Sequence, residues 1–374
     1  MSDMVDYYEQ AFSKNVSGDI YMPFSTLEKF SHLRRMELLA SLDLPQLNDL
    51  TVVDYGVGAW GFGCIFPKLK QCKIAIGMDI SSKAIELSSA ISENDPELAG
   101  KDVFFFTSSG YVFPLLDNSV DIFFSGECIE HIEDTDTFLS EVHRVLRVGG
   151  MAIFTTPNSQ PYLYRTMGIR WCVGYEHVAL MSASELLTYV TRYFDVLEKK
   201  GFNQSLYPSL DDSLPDEFSE AWVSSNEHDF ENATGLIISC LKKGSKRREP
   251  RTSLSVLDYK EAIPDGEFSD LELVSGQFGR MVRPGHRLTL PVPIGAKRVN
   301  LIFWGHQWSG GVKFSGNSTD HYTDLYSHVG GCIRIVKDLN GERELVIEAS
   351  DLINKKSLGR EVIFVRAVFV SNLI

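Results

Sequence analysis

Apolar and polar positions change rhythm along this chain. From residue 51 to residue 241 short apolar runs of strand length alternate with stretches of helical spacing, and beyond 252 only short β-patterned runs remain. In the first part the pattern predicts strands at 51–54, 73–79, Val103–Phe106, Val120–Phe124 and Met151–Thr155. Helices are expected over Trp60–Leu69, where Pro67 kinks or ends the run, from Ser81 or Ser82 to Glu93, and over Thr135–Leu146. Residues 107–119 read as a loop. Ser182–Arg192 reads as a further helix, with Phe194–Lys199 and Leu236–Leu241 as closing strands, the last antiparallel. Strand–helix alternation of this kind requires a parallel sheet with helices on both faces.

Upstream, a helical pattern covers about 25–43, with Ser25 as N-cap and Glu28 three positions on. Residues 203–233 are polar and acidic with little periodicity, long for a structureless loop, and so either mobile or part of a binding pocket. Lys242–Arg251 is a charged, solvated connector. After it, Leu271–Ser275, Arg287–Leu290, Arg298–Phe303, Gly331–Val336, Glu344–Ile347 and Glu361–Val370 are strand-like runs punctuated by Gly and Pro, the texture of an antiparallel β-sandwich or jelly roll. The expected organisation is a helical segment over 1–50, an α/β domain over 51–243, a linker over 244–253 and a β domain over 254–374.

The chemistry concentrates where the first strands end. Asp54 closes the first apolar run, and Gly56, Gly58 and Gly61 follow as G-x-G-x-x-G, a turn with no Cβ in the way of a ligand. Asp79 closes the second strand, where a βαβ unit places an acid that accepts hydrogen bonds from ribose hydroxyls. A dinucleotide, its pyrophosphate over the helix N-terminus, is the competing ligand. Against it stands Asp54, which suits a cationic or amine-bearing ligand and repels phosphate.

Asp54-x-Gly56-x-Gly58, Asp79, the run from Leu116 to Asp121 and Val148-Gly149-Gly150 together resemble a class I S-adenosylmethionine-dependent methyltransferase. The branch is the small-molecule type 11 group, which includes ubiquinone-biosynthesis O-methyltransferases, and the likeness covers about residues 30–245. The resemblance implies a Rossmann-like doubly wound sheet and S-adenosyl-L-methionine as cofactor. It implies that Asp54 and Gly56 meet the methionine end, Asp79 the ribose and Ile80 the adenine. Relatives often carry an acid for the adenine amine after the third strand. Here Ser109 stands there, with Gly110 and Tyr111 beside it, and backbone groups or the Ser109 hydroxyl replace that acid. N-terminal helices cover the pocket in such enzymes, so Tyr7, Tyr8 and Tyr21 are lid residues or pack on the sheet edge.

Glu127, Glu130 and His131 follow the fourth strand, and His177 precedes the Ser182 helix. Glu127 and Glu130, three apart, would share a helical face, and all four residues come to the sheet edge where open α/β folds bind ligands. By resemblance to small-RNA 3′-end 2′-O-methyltransferases, this set would hold Mg²⁺ or another divalent cation that activates a vicinal hydroxyl. With no metal, His131 or His177 is the general base, since imidazole titrates near neutral pH, or His131 shapes the pocket.

Composition narrows the partners. With 374 residues the chain fits two domains, and 44% apolar with 23% charged content describes a soluble protein with ample core. No apolar run reaches the ~18 residues of a membrane span, and no basic-then-apolar leader opens the chain, so a cytoplasmic protein is expected. Six scattered cysteines without a C-x-x-C pair fit reduced thiols. A net charge of −14 disfavours nucleic acid. In the β domain, Trp304, His306, Trp308, Tyr322, Tyr326 and His328 cluster in sequence and form a sugar platform, sandwich core or a dimer interface. The expected activity is O-methylation of a sugar, glycan or glycosylated small molecule. A natural-product or catechol acceptor, or a glycan-binding scaffold without turnover, is the alternative.

Overall fold

The computed structural model describes residues 2–14, 34–46, 48–59, 71–166, 174–202, 230–244, 252–274, 276–314, 322–327, 330–350 and 354–372. The helix expected over Trp60–Leu69, Tyr21, Gly61, His328 and nearly all of 203–233 and the linker lie outside these residues. The chain divides into two units: Met1–Leu163 with Met181–Arg248, and Tyr164–Leu180 with Glu249–Ile374. The excursion of 164–180 into the second unit has no counterpart in the sequence expectation.

The first unit opens with helix α1 (Ser2–Lys14) and a short helix α2 over 34–40. Strands β1 (Thr51–Tyr55), β2 (Ile74–Asp79), β3 (Asp102–Thr107), β4 (Val120–Gly126), β5 (Leu146–Pro157), β6 (Phe194–Phe202) and β7 (Gly235–Lys242) form one sheet in the order β3-β2-β1-β4-β5-β7-β6. The first five run parallel, and β7 lies antiparallel between β5 and β6. Helix α3 (Ser82–Ser92) begins where Ser81 Oγ accepts the Ala84 amide, an N-cap that satisfies one orphan donor of the first turn. Helix α4 (Thr135–Val145) is capped by Asp134 and ends on His143 and Arg144, which complement its dipole. A short helix, α5 (Tyr162–Thr166), follows β5, and α6 (Ala183–Val190) starts with a reciprocal Ser182–Glu185 capping box.

Because β1 and β4 are covered on both faces, they read as near-continuous apolar runs. Tyr55, Phe113, Phe123 and Phe138 pack as one ring cluster under the sheet, and burying each ring contributes ~1.5–3 kcal/mol.

The second unit is a sandwich of two antiparallel sheets. Strands β8 (Thr252–Asp258), β10 (Phe268–Val274), β11 (Gln277–Val282), β13 (Ala296–Gly305), β16 (Gly331–Asp338) and β18 (Val362–Asn372) make one sheet. The other contains β9 (Ile263–Asp265), β12 (Arg287–Pro291), β14 (Gly311–Phe314), β15 (Thr323–Asp324) and β17 (Glu344–Ser350). Phe303, Phe364, Phe369, Leu288 and Ile347 are core residues. Residues 174 and 175 attach here: Gly174 bridges Gly331, and the Tyr175 hydroxyl accepts from buried Arg366 at 2.6 Å.

Candidate cofactor and acceptor site

β1 and β2 end side by side, and the chain turns sharply at both ends. The amides of Gly56 and Val57 donate to the Met78 carbonyl, which folds the β1 loop back over β2. Gly56 has φ +81°, and a Cβ there would sit 2.6 Å from Cys128 Sγ, so both backbone and space demand glycine. Gly58 has φ +62°. Its amide donates to one Asp79 carboxylate oxygen at 2.9 Å, and the Ser81 amide donates to the other at 2.9 Å. One carboxylate therefore fixes the glycine loop and the start of α3 together.

Asp54 and Asp79 are both buried. Burial, with the Asp79 charge added, pushes the Asp54 carboxyl well above the usual carboxylate range. Burial also raises Asp79, against the pull of the amides of Ser81 and Gly58. Among the described residues none donates a hydrogen bond to Asp54. A buried carboxylate without donors is costly, and a cationic or amine-bearing ligand is what would relieve it.

The loops enclose a cavity of about 230 Å³ lined by Gly56, Gly58, Asp79, Ile80, Gly110 and Tyr111 on the strand-end side. Met4, Tyr8 and Phe12 of α1 line it as well, and so do Glu127, Cys128 and His131 after β4. Asp54 lies behind this wall rather than in it. Ser109 is not a lining residue either; Gly110 and Tyr111 occupy the place expected for it. At Gly110 a Cβ would press on Tyr55 Oη and Ile132 Cδ1 at 3.0 and 3.1 Å. Tyr7 does not line the cavity but packs edge-on against Tyr8, 5.1 Å between centroids.

The segment after β4 departs from the helical face expected for Glu127 and Glu130. Glu127 has φ +47°, a left-handed conformation that costs a non-glycine residue, and only Ile129–His131 make a short 3₁₀ turn. The strained residue is held by its surroundings. Its amide donates to the Thr155 carbonyl, and its carboxylate accepts from Thr155 Oγ1 at 2.6 Å and pairs with Arg35 at 3.1 Å. Glu127 thus already has a cation beside it. Glu130 is buried and accepts from Thr156 Oγ1 at 2.9 Å, while its other oxygen lies 3.7 Å from His131 Nε2. Tyr8 meets the His131 ring edge-on, 5.9 Å between centroids. His177 belongs to the second unit, where its Nδ1 lies 3.7 Å from the Glu176 carboxylate.

Tyr55, Cys128, Glu133 and Ile132 line the cavity without having been singled out from the sequence, and Arg35, Thr155 and Thr156 hold its carboxylates. The Cys128 signal was present in its place between Glu127 and Glu130. Arg35 had none, since its pairing spans the sheet.

In the second unit, Trp304 and Tyr326 are buried, so neither ring is the open stacking face that a sugar platform needs. Trp308 is 50% exposed.

Residues 53–154 match the family model described as "Methyltransferase domain". A malonyl-[acyl-carrier protein] O-methyltransferase of Coxiella burnetii is 28% identical over 141 residues, 38% of this chain and 45% of that protein. Phosphoethanolamine N-methyltransferase 2 of Caenorhabditis elegans is 35% identical over 81 residues, 21% of this chain and 17% of that protein. The chain thus spans less than half the length of these relatives. An S-adenosylmethionine-dependent methyltransferase structure from Thermotoga maritima is 21% identical with a TM-score of 0.45, covering 63% of this chain and all of that one. Residues 53–154 are a class I S-adenosylmethionine-dependent methyltransferase domain of the type 11 branch.

Proposed function

We propose that the first unit binds S-adenosylmethionine in the cavity between the strand ends and α1, and transfers its methyl group to a hydroxyl of a sugar, glycan or glycosylated small molecule. The observation that carries this reading is the buried pair Asp54 and Asp79 around a glycine loop that only glycine can make. Bound there, the cofactor supplies a methyl group on a sulfonium, which needs alignment and a dry site more than activation. Each Asp79 oxygen accepts one amide and keeps a lone pair for a ribose hydroxyl. Gly56 and Gly58 let the backbone approach the methionine end, Ile80 packs on the base, and the buried Asp54 carboxyl lies behind the loop, where the positive charge of the ligand favours its ionised form.

His131 is the group that takes the acceptor proton: as the O–CH₃ bond forms and the S–CH₃ bond breaks, the hydroxyl proton passes to its imidazole. Glu130, fixed by Thr156, orients that ring. The faces of Tyr8, Phe12 and Tyr111 and the carboxylates of Glu127 and Glu133 suit a neutral polyhydroxylated acceptor. A net charge of −14 turns polyanions away. A divalent-cation variant keeps Glu130 and His131 as neighbouring donors, with Glu127 drawn toward Arg35 instead.

Titration calorimetry with S-adenosylmethionine tests the reading. Asp79→Ala is expected to weaken binding by roughly 100-fold or more, since it removes ribose contacts and frees two loop amides. His131→Ala should leave that affinity intact and lower turnover on a neutral glycoside by about 10²–10⁴. EDTA-sensitive turnover selects the cation variant. Unchanged affinity in Asp79→Ala sinks the assignment, and a wild-type protein that binds the cofactor without methylating any acceptor is the scaffold.

A further inference from the structure

The Glu9 side chain ties helix α1 to helix α3, beside the ring contact of Tyr8 with His131. The Glu9 carboxylate reaches the first turn of α3, where its two oxygens accept the Ser82 amide at 2.5 Å and the Lys83 amide at 3.3 Å. Those amides are orphan donors at the positive end of a helix dipole, a favourable place for a carboxylate. The same turn carries Ser81, whose amide is bound by Asp79 and whose hydroxyl caps α3. Glu9 and Asp79 therefore grip successive amides of one turn, Glu9 from the cover and Asp79 from the floor.

The cover matters because of what the neighbouring turns of α1 present. Met4, Tyr8 and Phe12 recur at helical spacing and all line the cavity, Tyr8 against His131 and stacked with Phe12 at 6.2 Å. Glu9 is adjacent to Tyr8 in the chain and lies at the edge of this apolar stripe. A polar anchor beside an apolar stripe fixes both how α1 is rotated and how close it sits. Hydrogen bonds from Ser82 and Lys83 hold the Glu9 carboxyl below the usual range despite some burial, so the anchor is charged throughout the neutral range.

We propose that Glu9 is a latch that seats α1 over the cavity, and that the cofactor enters and leaves when this latch opens. The proposal rests on the reading of the cavity as the cofactor site. Glu9 is a positioning residue: it does not line the cavity itself but fixes the helix that carries Tyr8 and Phe12, which do. A closed latch excludes water from the reacting atoms and slows release of the spent cofactor.

The test uses the full chain and three readouts. In stopped-flow displacement of S-adenosylhomocysteine, Glu9→Ala, which removes the acceptor of the Ser82 and Lys83 amides, is expected to release it roughly tenfold faster (~1.4 kcal/mol), and Glu9→Gln less so. Single-turnover methyl transfer at saturating cofactor should change by less than about threefold, separating a latch from a catalytic group. In the ligand-free protein, hydrogen exchange in α1 and at the Ser82 and Lys83 amides should rise in Glu9→Ala and in Glu9→Gln. Exchange and release rates equal to wild type overturn the latch. If wild type binds no S-adenosylhomocysteine, the cofactor reading fails and this proposal with it. Raised exchange with unchanged release shows a structural contact only, and overturns the gating.

Discussion

The two units differ in the charge they bury: carboxylates collect in the first, and only arginines are buried among the described charged residues of the second. In the first, Asp54, Asp79, Glu130, Glu133 and Asp134 are buried, at or just beyond the C-terminal ends of β1, β2 and β4. Among the described residues of the second, the buried charged side chains are Arg280 and Arg366. The arginines are architecture. Arg280 forks onto Asp270 across β10 and β11 and donates to the Ala262 carbonyl, and Arg366 donates to Tyr175. Among the described residues of the first unit, the buried lysines Lys200 and Lys242 are likewise tied to Ser41 and to the Leu146 carbonyl. Asp54 differs because none of the described residues donates a hydrogen bond to it, and Asp79, held by the amides of Gly58 and Ser81, has no ion pair with a described residue either. A carboxylate buried without a cation destabilises the free protein, so its presence at a sheet edge points to a ligand rather than to the fold.

That contrast breaks if damage to the sandwich core is felt at the proposed cofactor site. Phe303 is fully buried against Phe364 at 5.8 Å, and Phe303→Ala should cost about 3–5 kcal/mol of second-unit stability. Denaturant unfolding should show the transition of that unit moving, with cofactor affinity in native buffer unchanged. A parallel fall in affinity would show that the sandwich contributes to the binding energy of the first unit.

Asp54→Asn sharpens the contrast, because the two measurements should move in opposite directions. Burial raises the folded pKa of Asp54 above its unfolded value of about 4. The folded chain then binds that proton more tightly, so stability is full below the unfolded pKa and is lost as pH rises through the folded one. Asn does not titrate. The variant should melt higher than wild type at pH 7, by roughly 2–4 °C, and the gap should close as pH falls toward 4. Its cofactor affinity should fall. A variant that melts lower at pH 7 would mean that Asp54 is stabilised by its surroundings in the folded state.

How much of this was legible depends on how local each signal is. Strands β1, β2 and β4, the N-caps of α3 and α6, and the antiparallel β7 are written in runs and caps of adjacent residues. The turns at Asp54, Gly56, Gly58 and Asp79 were readable for the same reason: they fall where the apolar runs of β1 and β2 stop. The strands β9, β14 and β15 escaped notice because two to four residues carry no measurable alternation. β8 and β11 are longer, but β8 abuts the charged connector and β11 pairs tightly with β10. The left-handed Glu127 was invisible because nothing in Gly-Glu-Cys announces it; the conformation is imposed by Thr155 and Arg35, residues far away in sequence. Trp304 and Tyr326 failed as an exposed platform because ring composition does not say which face of a sandwich strand points inward.

Trp308 is the smallest and most direct probe of what the second unit does. Among the described residues of that cluster it is the exposed ring, 50% accessible, with His306 5.9 Å away and Gly359 so close that a Cβ there would clash with it at 2.9 Å. Removing an exposed ring that fills no core should shift stability by no more than about 0.5 kcal/mol. If the sandwich is only architecture, Trp308→Ala changes nothing else. If it recognises a sugar, this ring is the face available for stacking, and the variant should raise KM for a glycoside acceptor by about 5–10-fold, the ~1–1.4 kcal/mol of one aromatic contact, with kcat unchanged. A fall in kcat at constant KM would rule out stacking and place the effect on the reacting step. The measurement therefore separates a folding module from a binding one at a position where the fold itself has almost nothing at stake.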